Sequence, residues 1–323
     1  MYSAISWQVG RELVASGKEA EFAIRRRRAL KRVDKELSRG NFKTALSLVK
    51  QLQRNPAGGL RGFGAVKQVP KRVTSLNELE LDSKELLPLQ SLLASVMESI
   101  ERCNFFDSFD EAASDRVESL TEDESYGSLN EKDHSMCMQH EAGHFLVGYL
   151  LGVLPKGYNV PSIEALRQEE SAVGSVQFIG FEFLKEIALA RRLRRTYTAQ
   201  GDGRVKHLSF FSAIMKTKRH TISSKTLSNF SCVILGGLVA EHIAFGHSEG
   251  HYADIDKLEY LFRWLGYKRS EVDSRVQWAA LNTVLISFQH IEVRSRLAEA
   301  MSLGRSVGFC IDTIESALYG REM

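Results

Sequence analysis

HEAGHFLVGYLLGVL, residues 140–154, decides how this chain is read. His140 and His144 stand four residues apart, so on a helix both imidazoles lie on one face and reach one metal ion. Glu141 between them stands to polarise a water held by that ion, the arrangement of zinc hydrolases. The five-residue motif alone is equally compatible with an ordinary helix carrying two polar histidines. Its flanks argue further. Cys137 and Met138 precede it, and Phe145, Leu146, Val147, Tyr149, Leu150 and Leu151 follow, with no proline before Pro155. Such a helix is buried on most sides. Imidazoles and a carboxylate inside it are costly without partners, and a metal partners both rings.

Two histidines leave a catalytic zinc one protein ligand short. A three-histidine extension of the motif would need Gly at 147 and His at 150, where the chain has Val147 and Leu150. Glu164, Glu169 and Glu170 follow in a polar, loop-like stretch. Further on, FSCVILGGLVAEHIAF (residues 230–245) reads as an apolar helix with a lone Glu241, closed by Gly246 as its C-cap. The loop after it holds His247 and His251. Asp254 falls where the next helix should begin, either as an ordinary N-cap or as the third ligand.

HEAGH with its apolar helix, and GGLVAEHIAFG followed by a loop and Ala253-Asp254-Ile255, resemble the peptidase domain of the FtsH family of zinc metalloproteases. The similarity spans roughly residues 134–320 and is nearest to plant chloroplast FtsH-like proteins without the motor. It implies His140, His144 and Asp254 as zinc ligands and Glu141 as catalytic base. Gly236, Gly237, Ala240, Glu241 and Gly246 fall on the family's helix pattern. Glu241 becomes a residue that orients a ligand histidine, since a metal-bound imidazole needs an acceptor on its other nitrogen. A buried packing carboxylate is the plainer role for it. Two positions depart from the family: His242 replaces a second Glu, and HSEGHYAD replaces the family's usual small polar loop. The implied activity is zinc-dependent endopeptidase cleavage of unfolded or small protein substrates, in chloroplast protein quality control or thylakoid biogenesis. The alternative is a proteolytically inactive assembly or chaperone-like subunit, with FtsH-type ATPase subunits as partners.

The sequence contains no G-x-x-x-x-G-K-[ST] phosphate loop; Gly58-Gly59 and Gly62–Gly64 read instead as a hinge. With 43% hydrophobic residues and a net charge of +3, the composition suits a globular protein and gives no reason to expect nucleic acid. The four cysteines form no C-x-x-C pair, which excludes a cysteine-rich zinc module, and Cys232 and Cys310 fit a core. The longest apolar run, Phe145 to Leu154, is too short to span a bilayer. Membrane association is therefore expected to be peripheral. The first residues are too acidic for a transit peptide, so a chloroplast location rests on the resemblance alone.

The expected fold is mainly α: a helical FtsH-type peptidase domain with a small β element, preceded by a helical N-terminal region. Residues 1–105 form that region, with a basic helix over 23–37 read as a solvated face, a single tetratricopeptide-like helix over 40–53, a Gly/Pro linker near 55–70, and an amphipathic helix from Leu87 to Cys103. Residues 106–133 read as an acidic linker, and 134–323 as the peptidase domain. Within it, Gly174 to Phe181 is the best strand and Val160 to Ile163 a weaker edge strand. Residues 185–222, where only Glu186 and Asp202 oppose many Lys and Arg, read as a basic insertion. Helices are expected over 258–266, 271–290, 292–301 and 306–319.

Overall fold

The computed structural model describes residues 21–54, 59–66, 68–69, 73, 75–107, 126–168, 174–185, 222–249 and 252–319. The described chain is mainly helical, as expected. Helix α1 covers residues 21–38 and α2 Phe42–Gln53; α3 runs Ser83–Asp107 and α4 Tyr126–Leu150. Strand β1 (Pro155–Asn159), α5 (Ile163–Gln168) and β2 (Ser175–Phe178) follow. Then come α6 (Ser224–Ile234), α7 (Gly236–Phe245), α8 (Tyr252–Trp264), α9 (Arg269–Gln289), α10 (Ile291–Ser302) and α11 (Val307–Leu318).

Helix α4 is the hub. Every residue from His140 to Leu150 is buried, as a helix apolar on all sides requires. It packs most extensively on α7, and also on α10, α6 and the β-hairpin. Three glycines set the α4–α7 distance. A Cβ on Gly143 would overlap the Gly236 carbonyl and stand 2.6 Å from Ala240 Cβ, and one on Gly236 would stand 2.9 Å from the Gly143 oxygen. A Cβ on Gly237 would stand 2.6 Å from Cδ2 of His140. The glycine pair in the sequence is thus the place where two backbones meet.

Several expectations need correction. Residues 230–245 are not one helix. The helix begins at Ser224, capped by Ser223, and breaks at Leu235 where α4 crosses. By length and composition Ser224–Phe245 is apolar enough to cross a membrane, although no span was expected here. However, 89% of its most apolar window is buried inside the protein, so it serves as core. Val160–Ile163 is not a strand. Pro161 has no N–H for a ladder, and Ser162 Oγ instead accepts from Ala165 N (3.2 Å) to start α5. The edge partner of β2 is β1, antiparallel, with Tyr158 opposite Val176 and an irregularity between Pro155 and Gly157.

The boundary between residues 1–105 and 134–323 does not separate two cores. Leu30, Val33, Ala45 and Val49 share one hydrophobic cluster with Phe145, Leu281 and Ile311. The acidic linker is helical at both ends, through Asp107 and from Tyr126; residues 108–125 lie outside the described chain. The basic helix is not simply a solvated face. Arg26 is buried, and its Nε donates to Asp312 Oδ1 (2.6 Å) while Arg27 Nε donates to Oδ2 (2.7 Å).

The expected hinge near 55–70 is anchored where it is described. Arg61 N and Gly62 N donate to the Glu315 carboxylate (2.9 and 2.8 Å), which also accepts from Tyr149 Oη (2.6 Å). Gly64, at φ +68°, donates to the Tyr149 carbonyl (3.1 Å), and Leu60 and Phe63 are buried. Each such bond is worth about 1 kcal/mol net, enough together with the burial to fix the loop against the end of α4. The last three helices match expectation within two residues, whereas the helix expected over 258–266 begins six residues earlier, at Tyr252. Leu281 and Val284 are buried, and Trp264, Trp278 and Leu285 pack partly against the core. Cys232 and Cys310 are buried free thiols. Most of the basic stretch, residues 186–221, lies outside the described residues.

Candidate metal centre

Helix α4 presents His140 and His144 on one face, and α8 brings Asp254 to them from 110 residues further along the chain. Asp254 sits in the first turn of α8 rather than at its cap. The three acceptor atoms form a small triangle: His140 Nε2 to His144 Nε2 2.9 Å, His140 Nε2 to Asp254 Oδ2 2.9 Å, and His144 Nε2 to Asp254 Oδ2 3.0 Å. All three residues are buried.

The far side of each ring fixes its tautomer. His140 Nδ1 donates to Glu241 Oε1 (2.6 Å), and His144 Nδ1 donates to the Val233 carbonyl (2.7 Å). Both partners only accept, so each Nδ1 carries a proton and each Nε2 is left facing the other ring and the Asp254 carboxylate. Three acceptors this close repel one another unless a proton or a metal ion joins them. A tetrahedral zinc with bonds of ~2.0–2.1 Å holds its ligand atoms ~3.3 Å apart, a few tenths of an ångström wider than this triangle. The donor set of two imidazoles and one carboxylate is one that zinc accepts.

Glu241 is itself fixed. Its Oε2 accepts from Glu249 N (2.8 Å). Burial alone would raise its pKa, but the hydrogen bond and charge of His140, with the bonds from Ser248 and Glu249 N, together outweigh burial and lower it. Asp254 is likewise held well below the usual range: its burial is outweighed by the charge of His144 and the bond to His140. For His140, burial pushes the pKa down, but the hydrogen bonds to Asp254 and then Glu241 outweigh it and raise it to about 10. The metal-free site therefore keeps one proton among its acceptors, and a metal must displace it. Apparent zinc affinity should rise with pH, by about tenfold per unit for one displaced proton. Competition titrations with a chelator from pH 6 to pH 8 measure this; a flat profile would contradict the assignment of the proton.

Glu141 stands beside the triangle, with a carboxylate oxygen within 4.8 Å of a ring nitrogen of each histidine. These three residues form one buried group that could hold a metal ion, and Asp254 Oδ2 approaches the same two ring nitrogens at 2.9 and 3.0 Å. Glu141 Oε2 is buried and has no hydrogen-bond partner among the described residues, and burial raises the Glu141 pKa. Gly174, at the entrance to β2, covers it: a Cβ there would stand 2.7 Å from Glu141 Oε1 and 2.8 Å from Cys137 Sγ. Burial, and then the Glu141 charge, push the Cys137 thiol up to about 12.

The rival ligands stay away from this triangle or outside the described chain. His247 is exposed and faces Glu249 (3.2 Å). Glu164 is exposed on α5. His251, Glu169 and Glu170 lie outside the described residues. His242 pairs through Nε2 with Ser99 Oγ of α3 (3.0 Å). Sequence reasoning missed the Val233 carbonyl, which has no side-chain signal, and Lys257, whose Nζ donates to Asp254 Oδ1 (2.9 Å). The i,i+3 spacing from Asp254 was the available clue to Lys257. No protein-family model, no curated protein and no solved structure matches this chain.

Proposed function

We propose that this protein is a zinc-dependent metalloendopeptidase with an FtsH-type peptidase fold, hydrolysing peptide bonds of unfolded or small protein substrates. The observation that carries the reading is the triangle of His140 Nε2, His144 Nε2 and Asp254 Oδ2 beside a buried Glu141 oxygen that has no partner among the described residues. His140, His144 and Asp254 would hold zinc. The ion supplies Lewis acidity, lowering the pKa of water toward ~7 and polarising a carbonyl. Glu141 takes the proton from the attacking water and delivers it to the leaving amine. Its raised pKa helps it hold that proton between the two steps. Glu241 and the Val233 carbonyl keep both imidazoles turned toward the ion.

Strand β2 starts one residue after the glycine that covers Glu141. Among the described residues it pairs only with β1, so its other edge offers backbone groups to an extended peptide. The 323 residues contain no phosphate loop, and any unfolding motor would come from FtsH-type ATPase subunits. The resemblance to chloroplast FtsH-like proteins supports a role in plastid protein quality control or thylakoid biogenesis. Zinc content of the purified chain, with casein cleavage by wild type and Glu141→Gln, tests the reading. Bound zinc without cleavage would favour the inactive assembly subunit.

A further inference from the structure

Asp254 has two carboxylate oxygens, and they face different partners. Oδ2 faces both histidine Nε2 atoms at 2.9 and 3.0 Å; Oδ1 is turned away and accepts from Lys257 Nζ at 2.9 Å. Lys257 lies one turn after Asp254 on α8. Its side chain is 54% exposed while that of Asp254 is 6% exposed, so the ammonium approaches the buried carboxylate from the solvent side. A carboxylate whose second oxygen is held by an ammonium has one oxygen left for a metal.

We propose that Lys257 is a positioning residue that restricts Asp254 to coordination through Oδ2 alone, keeping the zinc site four-coordinate with one position open for substrate; this rests on the zinc reading above. Two effects of removing Lys257 oppose each other. Loss of a positive charge would draw a dication in, while loss of the hydrogen bond frees the carboxylate to turn. A half-exposed charge is screened by water and salt, whereas partners of metal ligands set affinity by about 10–100-fold. Orientation therefore wins.

The test compares zinc affinity of wild type, Lys257→Met and Lys257→Arg by competition with a chelator, alongside visible spectra of the cobalt(II)-loaded proteins. Lys257→Met should bind zinc roughly 10–100-fold more weakly, and its cobalt absorption should fall as the second carboxylate oxygen joins the ion. Lys257→Arg, which keeps a charged donor, should stay near wild type in both. Thermal unfolding of the metal-free variants checks that the half-exposed substitution leaves the fold intact. If Lys257→Met keeps wild-type affinity and an unchanged cobalt spectrum, this role is overturned while the metal site stands. If wild type binds neither ion, the zinc reading falls and this role with it.

Discussion

Replacing Glu141 with Gln should lower peptide hydrolysis by roughly 10²–10⁴-fold, the range that a positioned general base contributes, and leave zinc content unchanged. The two effects separate because Glu141 lies outside the ligand triangle. Its Oε2 is buried without a partner among the described residues, so an amide of the same shape fits the space and breaks no hydrogen bond of that oxygen with them. The amide cannot take a proton from water. Measured on casein with the metal content of each preparation determined, cleavage equal to wild type would remove Glu141 from the mechanism. Loss of zinc in the variant would instead make Glu141 a ligand.

Gly143→Ala should damage both fold and site. The new Cβ would overlap the Gly236 carbonyl and stand 2.6 Å from Ala240 Cβ. Because the nearest opposing atom is backbone, α4 and α7 must move apart, at a cost of ~1–3 kcal/mol or more. The same shift separates the histidines on α4 from Glu241 on α7, so zinc affinity should fall at least tenfold, as for the loss of a ligand's hydrogen-bond partner. Gly148→Ala is the control. Its Cβ would meet the Phe178 ring of β2, 2.9 Å from Cζ, on the same helix but against β2 rather than α7. It should lower the melting temperature and leave zinc affinity near wild type. Equal zinc binding by both variants would show that the α4–α7 distance does not control the site.

The parts of the site legible in the sequence are those written as side chains at helical spacing. His140, Glu141 and His144 follow from one turn of helix. Residue type alone left Asp254 as one of several acidic or imidazole groups downstream; the resemblance singled it out, and the structure puts its Oδ2 2.9 and 3.0 Å from the two rings while His247 and Glu164 are exposed. Glu241 was legible as a lone carboxylate in an apolar helix, but its partner ring was not. The Val233 carbonyl carries no residue-type signal, since any residue has one. For the fold, apolar periodicity located most helices within a few residues. It failed at Leu235, where continuous hydrophobicity hides a break made by another helix crossing on glycines. It also failed at the glycine loop, because Glu315, which holds Arg61 and Gly62, lies some 250 residues away. Local composition suggested a hinge, and a long-range carboxylate made it an anchored loop.

On the proposed function, His140, His144 and Asp254 form one metal site. Diffraction from crystals of the zinc-loaded protein, collected on both sides of the zinc absorption edge, tests it most directly. One anomalous peak per chain is expected, ~2.0–2.2 Å from Nε2 of His140, Nε2 of His144 and Oδ2 of Asp254. A peak in the 247–251 loop, or no peak with Asp254 still hydrogen-bonded to both rings, would contradict it.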